Sequence, residues 1–483
     1  MAIDAIYRHA RSAPDRPAVV YNNIPLSYRR FVKLIDASRR YLLAQDLGSE
    51  GVAVVMIASI LDAWILGLAL RSLGLTTVVV RSPDQIAPLR LPNLRCVVTT
   101  EADRPADIAA ACAEAGWRCV VVPRAAYAGA ALGPPPPVPT APTPHGGHVL
   151  LTSGTTGFYK KFLVDPVFER ASIILRNKVL GVSRRTVVNV FDFGGWTGVG
   201  YIGPVATWDG GGCVVIFQGP RRYEAFGYRG ITDALITPDL LTKLLAAPAN
   251  ALRRDDKIRL LVTGGALSPA LWQETKSRLT SRVYTYLGAT EAAVIAVTPI
   301  RQVEDLRFHR LVNSRTVEIV DEAGRLVPRG QIGLIRIGTI GGIKGYFGDE
   351  EASRASFRDG YFYPGDLGAI GPDGRLVLQG RASAVVNIQG NKLAAEPVEA
   401  ALESELHIAG VCVFSMQHDD GEEIVHLAIE APQPLPSPDI EAALRRFLPG
   451  AYRAQIHFVD ALPRNDMGKI QRDALKRRLN PPG

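Results

Sequence analysis

Cysteine is scarce in this chain of 483 residues, and neither secretion nor a disulfide framework is indicated. The five cysteines are an odd number, and none of them forms a C-x-x-C pair. This pattern predicts buried, reduced thiols. The first residues contain no apolar run of the kind that begins a signal peptide. We therefore expect a cytoplasmic protein.

Long apolar runs are also missing, with the exception of residues 51–70, which are long enough to span a membrane. Asp62 lies near the centre of this run, where a charge costs about 2.5–3.5 kcal/mol on insertion scales. A strand at 52–57, a helix at about 60–73 and a strand at 76–80 explain the same residues better. The run therefore predicts a buried β-α-β unit and no membrane span.

The sequence contains no basic, aromatic-rich module of the kind that binds nucleic acid. Its composition, 47% hydrophobic and 21% charged residues, is typical of globular proteins and argues against extensive disorder. The net charge of +8 favours anionic ligands such as nucleotides, coenzyme A or an acidic partner protein. The length predicts two or more domains.

Apolar strand-like runs alternate with helical segments up to about residue 303. This alternation is typical of parallel sheets covered by helices on both faces. Residues 133–147 form a proline-rich connector, and residues 303–380 alternate short strands with glycine turns, which predicts a small β-rich subdomain. The sequence thus predicts an α/β protein with a large N-terminal domain, residues 1–380, and a small mobile α+β C-terminal domain, residues 381–483.

A loop rich in small and hydroxyl residues follows a strand-like run within VLLTSGTTGFYKKFLV, residues 149–164. Glycine lets successive backbone N–H groups converge on an anion, the hydroxyls add donors, and a lysine adds positive charge. The spacing differs from the P-loop pattern G-x-x-x-x-G-K-[ST]. A plain surface turn is the alternative, since the same residues dominate turns. The candidate polyphosphate-binding residues are Thr152, Ser153, Gly154, Thr155, Thr156, Gly157 and Lys160.

Four further stretches carry residues that suit a nucleotide ligand. Each stretch alone is compatible with an ordinary turn or helix start, but their joint order is hard to obtain by chance. Their candidate residues are Gly264 and Gly265 near a strand end, Thr290 and Glu291 after an expected glycine turn, Asp366, Arg381 and Lys469.

In this order the motifs resemble those of the adenylate-forming (AMP-binding) superfamily, which comprises acyl-CoA synthetases, luciferases and the adenylation domains of nonribosomal peptide synthetases. The resemblance covers nearly the whole chain, from PLSYRRF near Ser27 to LPRNDMGKIQR at residues 462–472. It implies an enzyme that activates a carboxylic acid with ATP and Mg²⁺, forms an acyl-adenylate and releases pyrophosphate. A thiol then attacks the adenylate and forms a thioester.

The resemblance implies that one group of these residues contacts ATP. The loop from Thr152 to Lys160 would hold the departing phosphates, and Glu291 would bind the Mg²⁺ that bridges them. Asp366 would accept hydrogen bonds from the two ribose hydroxyls, a role that suits an acceptor-only carboxylate. Arg381 would contact the ribose or a phosphate.

A second group would act through the C-terminal lobe, which in this family rotates between the two steps. Lys469 would bridge the substrate carboxylate and the α-phosphate and offset charge that develops in the transition state. Ser383 occupies the hinge position, where aspartate or lysine is usual, and Gly390 lies on the acceptor side. The resemblance therefore assigns catalysis to Lys469 and Glu291.

The resemblance places the acid pocket along FDFGGWTG at residues 191–198, along the glycine pair after residue 263, and along YLGATEAAVI from residue 286. These stretches contain three bulky rings, those of Phe193, Trp196 and Tyr286. Together in one pocket they would leave little volume for the substrate and would select a small acid. The alternative is that the rings pack in the core and leave the pocket open. The predicted lining residues are Asp192, Phe193, Trp196, Gly264 and Tyr286.

Asp192 bears on the class of substrate. It follows a buried-looking strand, where a bare carboxylate is costly unless another group pairs with it. Peptide synthetase adenylation domains have a similar aspartate, which receives the α-ammonium group of an amino acid. The alternative is that Asp192 caps a helix or pairs with a nearby arginine or lysine.

Some positions depart from the family pattern. Tyr159 stands where proline is usual and Lys161 where glycine is common, which predicts altered stiffness of the phosphate loop. Leu287 stands where an aromatic residue normally stacks on adenine, and the neighbouring Tyr286 cannot be assumed to replace it. ATP affinity is the family property that these departures put most in question.

The acceptor thiol is open between two alternatives. CoA is the simpler one, because the sequence contains no carrier domain, and the other is the phosphopantetheine of a separate carrier protein loaded with an amino acid. A nucleotide-binding protein without catalysis is disfavoured, since Glu291, Asp366 and Lys469 are all present. We expect a ligase of the acyl-CoA synthetase type.

Overall fold

The computed structural model describes residues 2–105, 107–128, 146–153, 159–248, 250–388, 391–417, 423–431, 435–448, 453–464 and 470–479. In this part of the chain the helices are α1 (Ala2–Ser12), α2 (Tyr28–Leu43), α3 (Ile60–Ser72), α4 (Ile108–Glu114), α5 (Arg124–Ala128), α6 (Pro166–Leu180), α7 (Gly198–Asp209), α8 (Pro238–Leu245), α9 (Pro269–Arg278), α10 (Glu350–Ser356), α11 (Ala395–Leu406), α12 (Ser437–Phe447) and α13 (Arg472–Leu479). The strands are β1 (Pro17–Tyr21), β2 (Ile24–Ser27), β3 (Val52–Met56), β4 (Thr76–Val80), β5 (Leu94–Thr100), β6 (Arg118–Val122), β7 (His148–Ser153), β8 (Tyr159–Val164), β9 (Val187–Asn189), β10 (Cys213–Ile216), β11 (Asp233–Ile236), β12 (Arg259–Val262), β13 (Val283–Ala289), β14 (Ala293–Pro299), β15 (Val317–Val320), β16 (Gly333–Gly338), β17 (Phe357–Arg358), β18 (Tyr361–Phe362), β19 (Asp366–Ile370), β20 (Leu376–Arg381), β21 (Val385–Ile388), β22 (Asn391–Ala394), β23 (Gly410–Gln417), β24 (Glu423–Glu430) and β25 (Ala454–Val459).

The first sheet has the strand order β6-β5-β3-β4-β7-β8 and is parallel except for the β7–β8 hairpin. The predicted β-α-β unit is confirmed as β3, α3 and β4. Every residue of β3 is buried, as a strand covered on both faces requires. No helix of the described residues is long and apolar enough to cross a membrane.

The second sheet has the order β14-β13-β12-β11-β9-β10-β1-β2, with parallel strands at its centre and an antiparallel strand at each edge. Its two faces border different cores. Leu235 and Leu261 face the core shared with the first sheet, whereas Ile236 and Leu260 face a core beneath α8 and α9. Because the central strands are parallel, their carboxyl ends lie along one edge, where open α/β sheets bind ligands.

An antiparallel β-rich subdomain follows, with the order β17-β18-β16-β19-β20 and β15 paired to β16. The last part of the chain contains the β21–β22 hairpin and a β23-β24-β25 sheet, and residues of α11 and α12 complete a separate apolar core there. The predicted α/β class, with parallel subdomains and a small α+β C-terminal lobe, is confirmed. A boundary after residue 380 and a rotation of the lobe stay predictions.

A buried polar network joins the two sheets near the start of β7. Nε2 of His148 donates to the Gly195 carbonyl (2.6 Å), and the ring stacks on Tyr201 at 4.0 Å between centroids. The Tyr201 hydroxyl donates to Glu169 (2.6 Å), which forms a salt bridge with Arg71 (2.7 Å). His148 therefore has a structural role in this network.

This histidine predicts a pH dependence of stability. Burial, with the nearby Arg71 charge, lowers the pKa of His148 to about 3. Below about pH 6.5 His148 is protonated in the unfolded chain, whereas in the folded chain it stays neutral until the pH approaches 3. The folded chain therefore loses stability as the pH falls through this range. At pH 5 the loss from this group is about 2 kcal/mol.

Urea unfolding of wild type and His148→Asn at pH 7 and pH 5 measures the pH-dependent contribution of His148 to the free energy of unfolding. We expect the variant to be less stable at pH 7 but to lose about 2 kcal/mol less than wild type on acidification. His407→Asn, at an exposed position, is the matched control. An equal loss in wild type and His148→Asn would contradict the assignment.

Candidate active site

Glu291 lies in the turn of the β13–β14 hairpin, at residues 290–292. The expectation of a glycine turn before it was wrong. Gly288 lies inside β13, where the register shifts, and a Cβ there would come within 2.9 Å of the Ala293 carbonyl oxygen. The glycine permits a close approach of two strands, and the hairpin itself projects Thr290 and Glu291.

Glu291 is 7% exposed, so its carboxyl is largely removed from solvent. Burial raises the pKa of its carboxyl, and the hydrogen bond from Tyr346 and the charges of Lys160 and Arg381 oppose that shift. The Tyr346 hydroxyl donates to Glu291 Oε1 at 2.8 Å. Two residues singled out by sequence, Lys160 and Arg381, therefore act electrostatically on Glu291.

Tyr346 was missed in the sequence. Besides its bond to Glu291, it lies beneath Lys160, whose Nζ is 4.9 Å from the ring centroid. It is 55 residues from Glu291 and belongs to no stretch that the sequence singled out. The available signal was GYFGD at residues 345–349, two aromatic residues between glycines inside the predicted β-rich subdomain.

Lys160 is positioned by the β7–β8 hairpin, in which it pairs with Thr152. This hairpin brackets the predicted phosphate loop, and its Lys160 contacts Tyr346, which bonds to Glu291 in the β13–β14 turn. Ser153 belongs to β7. Gly154, Thr155, Thr156 and Gly157 lie outside the described residues, and their phosphate contacts stay predictions.

Asp366 and Arg381 face each other at the ends of β19 and β20. Nε of Arg381 is 2.8 Å from Oδ1 of Asp366, and Nη1 donates to the Pro364 carbonyl at 2.6 Å. The backbone N–H of Arg381 donates to Glu396 at the start of α11 (3.3 Å). The predicted ribose ligand and its arginine are thus one preformed pair at the start of the C-terminal lobe.

Helix α7 begins beside the same site. A Cβ on Gly198, its first residue, would lie 3.6 Å from Thr290 Oγ1. Thr197 caps the helix by accepting from the Gly200 N–H (3.0 Å). The start of a helix favours negative charge, so α7 adds to the attraction for an anion next to Glu291.

Gly264 and Gly265 follow β12 at the carboxyl edge of the second sheet, as predicted. Gly264 has φ +81°, a conformation that other residues rarely adopt. A Cβ on Gly265 would lie 3.3 Å from Cγ of Pro238, at the start of α8. This part of the edge therefore presents backbone rather than side chains.

The three rings predicted to line one pocket do not share one face of the sheet. Trp196 and Tyr286 pack against the core shared by the two sheets. Phe193 packs against the other core, beneath α8 and α9. The loop after β9 therefore crosses the sheet edge between Phe193 and Trp196. That the three rings line one acid pocket stays a prediction.

The rings of Trp196 and Tyr286 each contact an arginine guanidinium. The guanidinium of Arg81 lies 5.2 Å from the Trp196 ring centroid, and that of Arg176 lies 5.5 Å from the Tyr286 ring centroid. Nη1 of Arg176 also donates to the Tyr286 hydroxyl at 3.2 Å. Each ring thus has a cation on its face, and Tyr286 has a hydrogen bond in addition.

Asp192 is paired with Arg222, which follows the neighbouring strand β10. Nε of Arg222 donates to both carboxylate oxygens at 3.0 Å, and Nη2 donates to Oδ2 at 2.7 Å. Asp239 adds a second negative charge near the guanidinium and, with Asp192, raises the pKa of Arg222. Of the two interpretations of Asp192, the structure favours pairing with an arginine.

Three further predicted residues have no described side-chain geometry. Lys469 and Gly390 lie outside the described residues. Ser383 belongs to a short 3-10 turn at Ala382–Ala384, directly after β20. Their roles stay predictions.

Comparison with known proteins decides the family. The sequence profile of the AMP-binding enzyme family matches residues 6–347, well over half of the chain. The chain belongs to the AMP-binding enzyme family. Adenylate-forming ligases of this family use ATP and Mg²⁺ to convert a carboxylic acid into an acyl-adenylate. They then transfer the acyl group to a thiol and form a thioester.

Relatives differ in their acceptors. A fatty acid–[acyl-carrier-protein] ligase, ScoC of Streptomyces coeruleorubidus, is 27% identical over 52% of this chain and 50% of that protein. A 2-succinylbenzoate–CoA ligase of Bacillus licheniformis is 27% identical over 51% of each. Pyochelin synthetase PchF of Pseudomonas aeruginosa is 26% identical over 81% of this chain and 22% of that protein. The chain thus spans about half or less of the length of these curated relatives.

Solved structures share the fold. ATP-bound MatB from Rhodopseudomonas palustris superposes with a TM-score of 0.83 at 20% identity, covering 99% of both chains. MenE of Bacillus subtilis in complex with the acyl-adenylate OSB-AMP gives a TM-score of 0.83 at 20% identity, covering 98% of this chain and 97% of that one. At this identity the likeness establishes the architecture and leaves the substrate open.

Proposed function

We propose that this AMP-binding enzyme activates a small carboxylic acid with ATP, releases pyrophosphate, and transfers the acyl group to CoA as a thioester. The observation that carries the proposal is the charged cluster of Glu291, Lys160 and Arg381 around Tyr346. Four separate segments of the chain supply these residues. Such a cluster, beside a helix start, suits a polyphosphate with its cation.

In this proposal Lys160 and the loop that follows Thr152 hold the departing phosphates. A Glu291 carboxylate oxygen is the kind of ligand that Mg²⁺ takes, usually one or two carboxylates together with substrate phosphates. The residues present therefore fit this ion. When bound, Mg²⁺ would neutralise the charge that the phosphates carry and develop.

Asp366 is proposed to accept hydrogen bonds from the ribose hydroxyls. Arg381 holds one oxygen of this carboxylate at 2.8 Å, which orients it before the nucleotide arrives. Lys469 is proposed to enter the site with the C-terminal lobe for the first step, turning about Ser383, with Gly390 near the path of the acceptor thiol. These last three roles rest on the sequence resemblance.

A plain acid, rather than an amino acid, is the proposed substrate class. The Asp192 carboxylate, which would have to receive an α-ammonium group, already accepts three hydrogen bonds from Arg222. An amine would have to displace a charge-assisted, forked contact to reach it. The pocket as formed therefore offers no free carboxylate at this position.

Releasing Asp192 should alter this preference. We expect wild type to activate propionate better than alanine, and Arg222→Ala to shift that ratio about tenfold toward alanine, since a hydrogen bond to a charged group is worth about 1.5–3 kcal/mol. Pyrophosphate exchange with both substrates measures the ratio. Arg221→Ala removes a neighbouring, more exposed arginine that pairs with Glu224 and is the matched control. A wild type that prefers alanine would contradict the plain-acid proposal.

A small acid is proposed because Trp196 and Tyr286 are held in place by Arg81 and Arg176. Rings that cannot turn away leave less room for a long acyl chain. In pyrophosphate exchange, acids of about two to five carbons should turn over faster than long-chain fatty acids. Faster turnover of the long-chain acids would show that the pocket opens past these rings.

The acceptor is tested on the acid that gives the fastest exchange. Incubation with ATP and CoA should yield the acyl-CoA, detected by mass spectrometry. Thioester formation on an added carrier protein, with none on CoA, would assign the chain to the carrier-loading alternative instead.

A further inference from the structure

Tyr346 separates two side chains of opposite charge in the charged cluster. Its hydroxyl donates to Glu291 Oε1 at 2.8 Å, and its ring face carries Lys160 Nζ at 4.9 Å from the centroid. Lys160 is close enough to act on the Glu291 carboxyl electrostatically. Even so, within the described ranges no salt bridge joins Lys160 to Glu291. Tyr346 is 8% exposed and contacts both side chains, one through its hydroxyl and the other through its ring face.

The ring is itself held from several sides. The Tyr346 backbone N–H donates to Ser353 Oγ at 2.8 Å, and Phe357 packs edge-on at 5.4 Å between centroids. The next residue, Phe347, donates its N–H to the Lys161 carbonyl at 2.7 Å, which ties the segment to the strand that carries Lys160. The ring therefore keeps its position relative to both charged groups.

The consequence of such a spacer follows from elementary electrostatics. A lysine and a carboxylate that meet in a buried site attract strongly and form an ion pair. If Glu291 and Lys160 formed an ion pair, that pair would have to break before the carboxylate could bind a metal ion. The pair would also have to break before the lysine could bind a phosphate. A hydroxyl donor and an aromatic face satisfy the same two groups without neutralising their charges.

We propose that Tyr346 is a positioning residue that keeps Lys160 and Glu291 apart, so that the lysine stays available to phosphate and the carboxylate to Mg²⁺. This inference rests on the proposed function. It assigns two separable parts to the side chain: the hydroxyl orients Glu291, and the ring prevents the ion pair.

Two substitutions separate these parts, and equilibrium binding measures them without turnover. The dissociation constant of ATP is measured calorimetrically with and without Mg²⁺. Tyr346→Phe keeps the ring, so metal-free ATP should bind as in wild type, while the gain in affinity on adding Mg²⁺ should fall about threefold to tenfold. Tyr346→Leu removes the ring, so metal-free ATP should bind about tenfold more weakly, because Lys160 then pairs with Glu291.

A double variant distinguishes this ion pair from general damage to the site. In Tyr346→Leu/Glu291→Gln the lysine has no carboxylate to pair with, so metal-free ATP binding should return to about the wild-type value. Tyr41→Phe, which loses a tyrosine hydroxyl bonded to the Val121 carbonyl at 3.1 Å, controls for the removal of a hydroxyl elsewhere.

Each outcome decides the inference. Recovery in the double variant supports it. Metal-free binding by Tyr346→Leu as tight as that of wild type, or a double variant that stays as weak as the single one, overturns it while leaving the proposed function intact. A wild-type chain without measurable ATP binding would instead overturn the proposed function, and this inference with it.

Discussion

Lys469→Ala is expected to lower acyl-adenylate formation by at least about 100-fold and to leave thioester formation from supplied acyl-adenylate largely unchanged. The lysine lies in LPRNDMGKIQR and, by resemblance, bridges the substrate carboxylate and the α-phosphate in the first step only. A preorganised cation aimed at developing charge contributes most in the transition state, so its removal acts on the rate more than on binding. By the same resemblance, the thioester step would take place with the C-terminal lobe rotated and this lysine out of the site.

The two half-reactions are measured separately. Pyrophosphate exchange reports the first step, and conversion of synthetic acyl-adenylate with CoA reports the second. Lys476→Ala removes another lysine of the same lobe, on α13, and should change neither. Equal loss of both half-reactions in Lys469→Ala, with an unchanged melting temperature, would show that the lobe does not rotate between the steps.

Glu291→Gln is expected to lower adenylation by a similar factor, at least about 100-fold, without destabilising the fold. The amide keeps the shape of the side chain and a carbonyl oxygen that can accept the Tyr346 hydrogen bond. It lacks the negative charge that a Mg²⁺ ligand needs. Since burial of a carboxylate is costly even with a hydrogen-bond donor, the variant should melt at the wild-type temperature or slightly above it.

Exchange assays over a range of Mg²⁺ concentrations, combined with thermal melting, test this second expectation. Glu304→Gln changes an exposed glutamate outside the site and should leave both quantities unchanged. A pyrophosphate-exchange rate of Glu291→Gln close to that of wild type would show that Glu291 is not a Mg²⁺ ligand. A large drop in melting temperature would show that the carboxylate is structural.

The sequence predicted the elements whose pattern is local. The apolar run at residues 51–70 and the strand-like stretch at 76–80 predicted β3, α3 and β4 almost to the residue, because an apolar strand, a cap and a turn are set by neighbours in the chain. The motifs around Lys160, Glu291 and Arg381 were also identified, and in the structure Lys160 and Glu291 both contact Tyr346. What the local pattern could not give is the face or the partner that a residue acquires after a strand ends.

Two side chains illustrate that limit. Phe193 and Trp196 are three residues apart, yet they pack against different cores, since the loop crosses the edge of the sheet between them. Asp192 meets Arg222 only because β9 and β10 are neighbours in the sheet, and strand order is not encoded in either segment alone. The role of Tyr346 was not predicted for the same reason, because its partner Glu291 lies in the β13–β14 hairpin, far away in the sequence.

Acid-dependent exchange of labelled pyrophosphate into ATP tests the central claim most directly, because only a reversible adenylation step produces it. The assay is run on the wild-type chain with short fatty, aromatic and amino acids, with and without Mg²⁺. The account predicts Mg²⁺-dependent exchange with at least one short plain acid, and slower exchange with the matching amino acid. Tight ATP binding without exchange for any of these acids would contradict the claim that the chain forms acyl-adenylates.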